Sequence, residues 1–211
     1  MGAFFCVREA RAAGSLSHRY NPSLALYRKA IKVLLDILDM LLGAVASVLG
    51  SALLLRTYLS WLRMSRTNPV GVFCAAVTDW LVMPLRRVLP FLGRLDTASV
   101  AGTLLIAVTY VFLLHVVRFH GIDYWYLVIP ATLLLVAHWL LYLLVAIVIV
   151  NALFSLINPH APLAPTFDIL TRPILLPLRR RMPPVGGFDL SPLVVLVVAQ
   201  ILLYLLGQVV I

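Results

Sequence analysis

Four apolar runs set the limits on what this chain can be. Residues 37–55, 99–117, 127–150 and 190–210 contain one charged side chain between them, Asp39. Each run is close to the roughly 20 residues that cross a ~30 Å hydrocarbon core as a helix. Helices are required there, because an open strand would leave backbone N–H and C=O groups unpaired in lipid. Composition points the same way. The chain is 63% hydrophobic and 12% charged, whereas a soluble domain is about 45–50% apolar and about 25% charged. That much polar surface cannot coat a water-soluble globule of 211 residues, so the excess apolar surface must face lipid.

The formal net charge is +9 and is unevenly placed. Six of the 17 Lys and Arg precede residue 33, six lie from Arg56 to Arg94, four from Arg172 to Arg181, and Arg118 stands alone. A basic chain often binds nucleic acid. Here the charges flank apolar runs, so the expected partners are the bilayer and its anionic headgroups, and not nucleic acid. Residues 1–32 are polar, basic and weakly periodic. They are expected to be a poorly ordered N-terminal extension, with no apolar core long enough for a secretory signal. Cys6 and Cys74 have no metal or redox spacing, and Cys74 is expected to be a small core hydrophobe.

Between the first two runs lies a shorter apolar stretch. Asn68 and Pro69 form a helix start, an N-cap followed by proline at the first helical position. Residues 70–83 are then apolar except for Thr78 and Asp79. At about 1.5 Å per residue this piece is too short to span, and Pro84 is expected to end it. An interfacial or re-entrant helix over about 69–83 is expected, and its counterpart over about 165–176. In the first run, Gly43, Ala46, Ser47, Gly50 and Ser51 put small residues at helical spacing, which permits close helix–helix approach.

The chain also repeats itself. Residues 78–98 align without a gap on residues 171–191, at an offset of 93. Thr78 falls on Thr171 and the Pro84-Leu85-Arg86-Arg87 string on Pro177-Leu178-Arg179-Arg180. Pro90 falls on Pro183, Gly93 on Gly186 and Asp96 on Asp189, and Pro69 on Pro162 at the same offset. So many matches among rarer residue types mark a duplicated unit. The expected architecture is an all-α membrane protein with about four transmembrane helices in two parallel helix–basic loop–helix repeats, residues 33–118 and 119–211. Parallel repeats follow because two spans per unit return each unit to its starting side.

The string P-L-R-R-x-x-P-x-x-G-x-x-D, carried twice between spans, resembles the YggT family of bacterial and plastid membrane proteins over about residues 33–211. The second copy, Gly186-Gly187-Phe188-Asp189-Leu190-Ser191-Pro192, is similar to the family pattern throughout. The first departs from it, with Arg94 in place of the second glycine and Ser99 where the second copy has Pro192. The resemblance implies a multi-pass protein of the bacterial inner membrane. Family members are associated with osmotic-stress tolerance, cell division and plastid cytochrome maturation. It therefore implies an assembly or accessory role and no defined reaction.

Arg86, Arg87, Arg179, Arg180 and Arg181 are the candidate lipid or partner contacts. Guanidinium groups take phosphate in a forked geometry, and the flanking prolines stiffen the chain that presents them. Pro84, Pro90, Gly93, Asp96, Pro177, Pro183, Gly186 and Asp189 are the structural motif. Each aspartate can cap the helix after it or pair with the nearby arginines. His115 and His138 are expected to be polar groups bonded between helices. Asp36 and Asp39 share a helix face and could cluster with His115 and Arg118. No metal site, cofactor or enzyme motif is expected: P-loop, dinucleotide fingerprint, GxSxG and HExxH are all missing from the sequence. The expected function is a non-enzymatic scaffold or assembly factor with a membrane protein partner or a second copy. A small transporter component and a haem-handling factor are the alternatives. The positive-inside rule places the repeat loops in the cytoplasm and both termini outside.

Overall fold

The computed structural model describes residues 22–65, 68–89, 95–119, 125–181 and 189–209. Six α-helices are present among them: α1 (Pro22–Trp61), α2 (Pro69–Arg86), α3 (Thr97–Phe119), α4 (Val128–Ile157), α5 (Ala164–Arg179) and α6 (Ser191–Val209). A single 3-10 turn, Trp125–Leu127, leads into α4.

By its contacts the chain divides into Met1–Leu42 and Gly43–Ile211. In the first unit, α1 is helical from Pro22, upstream of the apolar run that begins at residue 37. Arg28, Lys29 and Lys32 interrupt hydrophobicity without interrupting the helix, because both residue types are good helix formers. With 40 residues α1 rises about 60 Å, twice a hydrocarbon core.

In the second unit the packing partners along α1 give the direction of its neighbours. Gly43 backs onto the Tyr110 hydroxyl and Leu53 onto Gly102, and Ala46 shares a buried cluster with Ala107. As α1 ascends, α3 descends. Gly50 backs onto Trp139, and Leu59 clusters with Ile147, so α4 ascends with α1. Lipid tails are as apolar as leucine, so helices in a bilayer associate through close van der Waals contact, and small residues permit it. The expected small-residue face of the first run is this contact surface.

The helices α2 and α5 gather at one end of the bundle. Cys74 sits with Leu59, Thr78 with Arg56 and Val82 with Leu53 and Ala98. Hence α2 folds back along the last turns of α1 and meets the start of α3. Phe167 contacts Phe154, Leu170 clusters with Ile147, and Leu175 clusters with Val148 and Val195. In the same way α5 folds back along α4 and meets the start of α6. Two bonds tie α5 to the first repeat: from α1, Tyr58 Oη donates to the Leu170 carbonyl at 2.8 Å, and from the start of α2, Asn68 Nδ2 donates to Thr166 Oγ1 at 2.9 Å. Cys74 is fully buried, as expected of a core hydrophobe.

The start of α2 follows the sequence expectation: Asn68 Oδ1 accepts from the Val70 N–H at 3.0 Å, with proline at the first position. Its end does not. Pro84 lies inside the helix, which continues to Arg86. The proline removes one N–H donor, and the chain then closes with tighter bonds, Arg87 N–H to the Pro84 carbonyl and Val88 N–H to that of Leu85. Pro177 is likewise internal to α5, as is Pro173. At 18 residues α2 joins α1, α3, α4 and α6 among the helices long and apolar enough to cross a membrane, five among the described residues. Large apolar side chains cover the outside of these helices. Val45, Leu105, Leu133, Leu140, Leu193 and Ile201 are all exposed, a surface suited to lipid and not to water.

The contact of Gly50 with Trp139 leaves no room for a larger side chain. A Cβ built on Gly50 would lie 2.2 Å from a Trp139 ring carbon, whereas one on Gly207 meets nothing within 4 Å. Overpacking of this kind costs about 1–3 kcal/mol. Gly50→Ala is expected to lower the thermal midpoint in detergent, with Gly207→Ala close to wild type. Equal midpoints for the two variants would contradict this packing.

Candidate functional site

The polar groups of the helical end converge on Asp96. It lies one residue before α3, and its carbonyl accepts the Ser99 and Val100 N–H groups that open the helix. Its carboxylate turns the other way. Asp96 Oδ2 accepts from Arg86 Nη2 at 2.5 Å and from Ser99 Oγ at 2.9 Å, with Arg56 Nε at 3.7 Å. Arg56 comes from α1 and also donates Nη1 to Thr78 Oγ1 at 2.8 Å and to Asp79 Oδ1 at 2.7 Å. The Thr78 hydroxyl in turn donates a hydrogen bond to the Cys74 carbonyl. Two guanidinium groups and two carboxylates thus join α1, α2 and the start of α3. A charge can be buried at this depth only when paired and hydrogen-bonded.

The second loop carries a reduced version. Arg179 Nε donates to Asp189 Oδ2 at 2.5 Å, the same ten-residue reach as Arg86 to Asp96. Asp189 Oδ1 caps the next helix by accepting the Ser191 N–H at 2.9 Å. Arg179 Nη1 also lies 3.8 Å from Asp168 Oδ1. The outer half of the first network has no counterpart here. At the offset of 93, Ile149 stands for Arg56 and Arg172 for Asp79. The Asp96 side chain is 3% exposed and that of Asp189 34%, so the first pair is a buried strut and the second a surface one.

Electrostatics follow the geometry. Burial pushes the Asp96 carboxyl upward, but hydrogen bonds from Arg86 and Ser99 and the charges of Arg86 and Arg56 outweigh it, leaving the group below its ordinary value. Burial also raises Asp189, and its bonds to Ser191 and Arg179 more than reverse this.

The arginines expected to act together are divided by these pairs. Arg86 and Arg179 are held by the aspartates. Arg87, Arg180 and Arg181 are exposed and make no ion pair with a described residue. Pro90, Gly93, Pro183 and Gly186 lie outside the described residues. Arg56, Asp79 and Ser99 join the site although they were not among the candidate site residues. For Arg56 and Asp79 the available signal was their isolation, since an ionisable side chain in an apolar run needs a partner. The expectation for His138 is corrected: its Nδ1 donates to the Leu134 carbonyl at 2.9 Å within its own helix, not to a neighbouring one. Mid-helix, the backbone carbonyl one turn back is a partner within reach of the ring.

Among the described residues no group of three His, Cys, Asp or Glu could hold a metal ion. An open groove of about 350 Å³ between α1, α2 and α4 is lined by apolar side chains with Ser47 and Ser51. It brings together no set of convergent polar groups of the kind that orient a small ligand. What the site does chemically is hold helices together and present cations beside them.

These features define an all-helical integral membrane protein, cross-braced by ion pairs at one end. The chain belongs to the CCB3/YggT family, whose model matches residues 21–117 and 130–210. It is similar to the "Uncharacterized protein YggT" of Escherichia coli K12, with 30% identity over 169 residues, 80% of this chain and 88% of that protein. It is also similar to the "Uncharacterized protein in proC 3'region" of Vibrio alginolyticus, with 29% identity over 163 residues, 74% of this chain and 86% of that protein. A Haemophilus influenzae protein matches at 28% over 160 residues, 74% of this chain and 83% of its own length. No solved structure matches.

The two aspartates differ in burial, so their neutral variants should differ in effect. Removing one partner of a buried pair costs about 3–5 kcal/mol, and an exposed pair contributes about 0–1 kcal/mol. Asp96→Asn is expected to destabilise the protein far more than Asp189→Asn. Because the folded Asp96 carboxyl is below its unfolded value, its contribution is complete above about pH 4 and is lost as pH falls through the folded value. Thermal unfolding across that acid range should show a loss in wild type that Asp96→Asn lacks. Matching acid profiles would contradict the assignment.

Proposed function

We propose that the chain crosses the membrane four times, through α1, α3, α4 and α6, as two parallel repeats (residues 33–118 and 119–211), and acts as a non-enzymatic scaffold or assembly factor. The observation that carries this is direction: α1 and α4 run together and α3 runs against them. If α2 also crossed, α3 would start on the far side and run with α1. Instead the end of α2 meets the start of α3 through Arg86 and Asp96, so α2 begins and ends near one face. The same holds for α5 through Arg179 and Asp189. Both helices then stay near that face, folding back along α1 and α4, and the exposed Phe73, Trp80 and Met83 of α2 suit an interfacial or re-entrant position.

This arrangement puts both basic loops on one side, which the positive-inside rule makes the cytoplasmic side of a bacterial inner membrane. The polar chemistry is spent on holding helices, with no nucleophile beside a base. His138, the ionisable group of mid-α4, is bonded to its own helix. A transporter generally keeps ionisable groups or broken helices at the midplane. What remains to be offered is a surface: cations at one face, for anionic headgroups and for a membrane partner or a second copy of the chain.

Single cysteines in a Cys6→Ser, Cys74→Ser background test the arrangement. With a membrane-impermeant maleimide, Val88→Cys and Arg181→Cys are expected to label from the same side, and Tyr126→Cys from the other. Labelling of positions 88 and 181 from opposite sides would overturn the proposal. Vesicles containing the protein should also hold an ion gradient as long as empty vesicles do; a specific leak would favour a transporter.

A further inference from the structure

The junctions at α2 and α5 differ in the cations left available on those two helices, with Arg63 beyond α1 a further exposed one in the first loop. In the first, Arg56 and Arg86 are held by Asp79 and Asp96. Arg87 is then the remaining cation at the end of α2. In the second, Arg179 is held by Asp189 with Asp168 close by. Arg172, Arg180 and Arg181 are exposed and make no ion pair with a described residue. The difference traces to two positions of the repeat. Ile149 replaces Arg56, and Arg172 replaces Asp79, so the second unit gains a cation where the first has an acid.

The surroundings of these cations say what they meet. Arg172 lies within α5, and Arg180 and Arg181 follow its last residue. On the same helix Ile169 and Leu176 are exposed. A surface that fits α5 must be apolar beside Ile169 and Leu176 and anionic beside the arginines. A bilayer leaflet with anionic headgroups offers both properties side by side, whereas an acidic protein surface has only the second. Arginine stems lie along the apolar boundary while the guanidinium groups reach the phosphates. By contrast, α2 exposes Val72, Phe73, Trp80 and Met83 with a single available cation, the composition of an apolar anchor.

We infer that Arg172, Arg180 and Arg181 form an anionic-phospholipid site on the second repeat, and that the matching helix α2, with Arg86 held and Arg87 alone at its end, adds little headgroup selectivity. This inference rests on the reading that α2 and α5 lie at the membrane face. Asp168, exposed on the same helix, is 3.8 Å from Arg179 and does not oppose the site as an isolated charge.

The test uses the full chain reconstituted in phosphatidylcholine vesicles, with spin-labelled phosphatidylglycerol or phosphatidylcholine as the probe. The immobilised fraction reports relative association. A basic residue at the leaflet contributes on the order of fivefold to anionic-lipid binding. Arg172→Gln and Arg180→Gln are each expected to reduce the phosphatidylglycerol preference by roughly that factor, and R172Q/R180Q/R181Q by more than about tenfold. Arg87→Gln, at the position matching Arg180, is expected to change it by about twofold or less. The R172K/R180K/R181K variant should keep most of the preference, which separates charge from fold. High salt should weaken the preference. If Arg87→Gln loses as much as Arg180→Gln, or the triple Gln variant retains wild-type preference, the assignment to the second repeat is overturned while headgroup docking in general stands. If wild type shows no preference for phosphatidylglycerol, the docking reading itself fails.

Discussion

The ion pair between Arg86 and Asp96 governs the rest of this architecture. It fixes the end of one helix to the start of the next across a ten-residue reach. Because Asp96 is buried, the pair cannot be exchanged for water at no cost. With that junction closed, the end of α2 and the start of α3 stay together, and both pack beside the last turns of α1 through Leu53, Val82 and Ala98. Arg56 adds a third helix to the same point. The second loop repeats the junction with Arg179 and Asp189 at a more exposed position, where such a pair orients the chain more than it stabilises it.

Below this polar end, cohesion comes from shape. Within a bilayer the apolar side chains gain little by leaving lipid, so the bundle relies on surfaces that approach closely. Gly50 against Trp139 and Gly43 against Tyr110 let α1 touch α4 and α3 in opposite senses. Ion pairs at the end and small residues below therefore cooperate: the first set direction, and the second make contact in that direction.

Much of this was legible in the sequence, and the remainder was hidden for physical reasons. Run length located the apolar segments, and the proline–arginine repeat located the two junctions. Asn68 and Pro69 mark a helix start because the capping chemistry is local. The helix end was not legible, because an internal proline such as Pro84 removes one bond and the following residues can still close the turn. The partners of Arg56 were not legible either, since Thr78 and Asp79 lie 22 and 23 residues away on another helix. Arg56 counts as one more loop charge until packing places it beside two carboxylates. The length of α1 was underestimated because lysine and arginine interrupt hydropathy but not helicity.

The division between held and available arginines gives the protein two kinds of cation with one sequence signature. Those beside an aspartate shape the molecule, and those without one face outward. The proposed scaffold role calls for both: a rigid arrangement of helices and a face that other components meet. The central claim is that α1 and α4 run in the same direction, since that places both junctions on one side. Disulfide cross-linking in membranes tests it most directly, in a background lacking Cys6 and Cys74. The pair Leu59→Cys and Ile147→Cys, which share one buried cluster, should cross-link, and Leu59→Cys with Ala131→Cys should not. Cross-linking of the second pair and not the first would mean that α4 opposes α1, and would contradict the account.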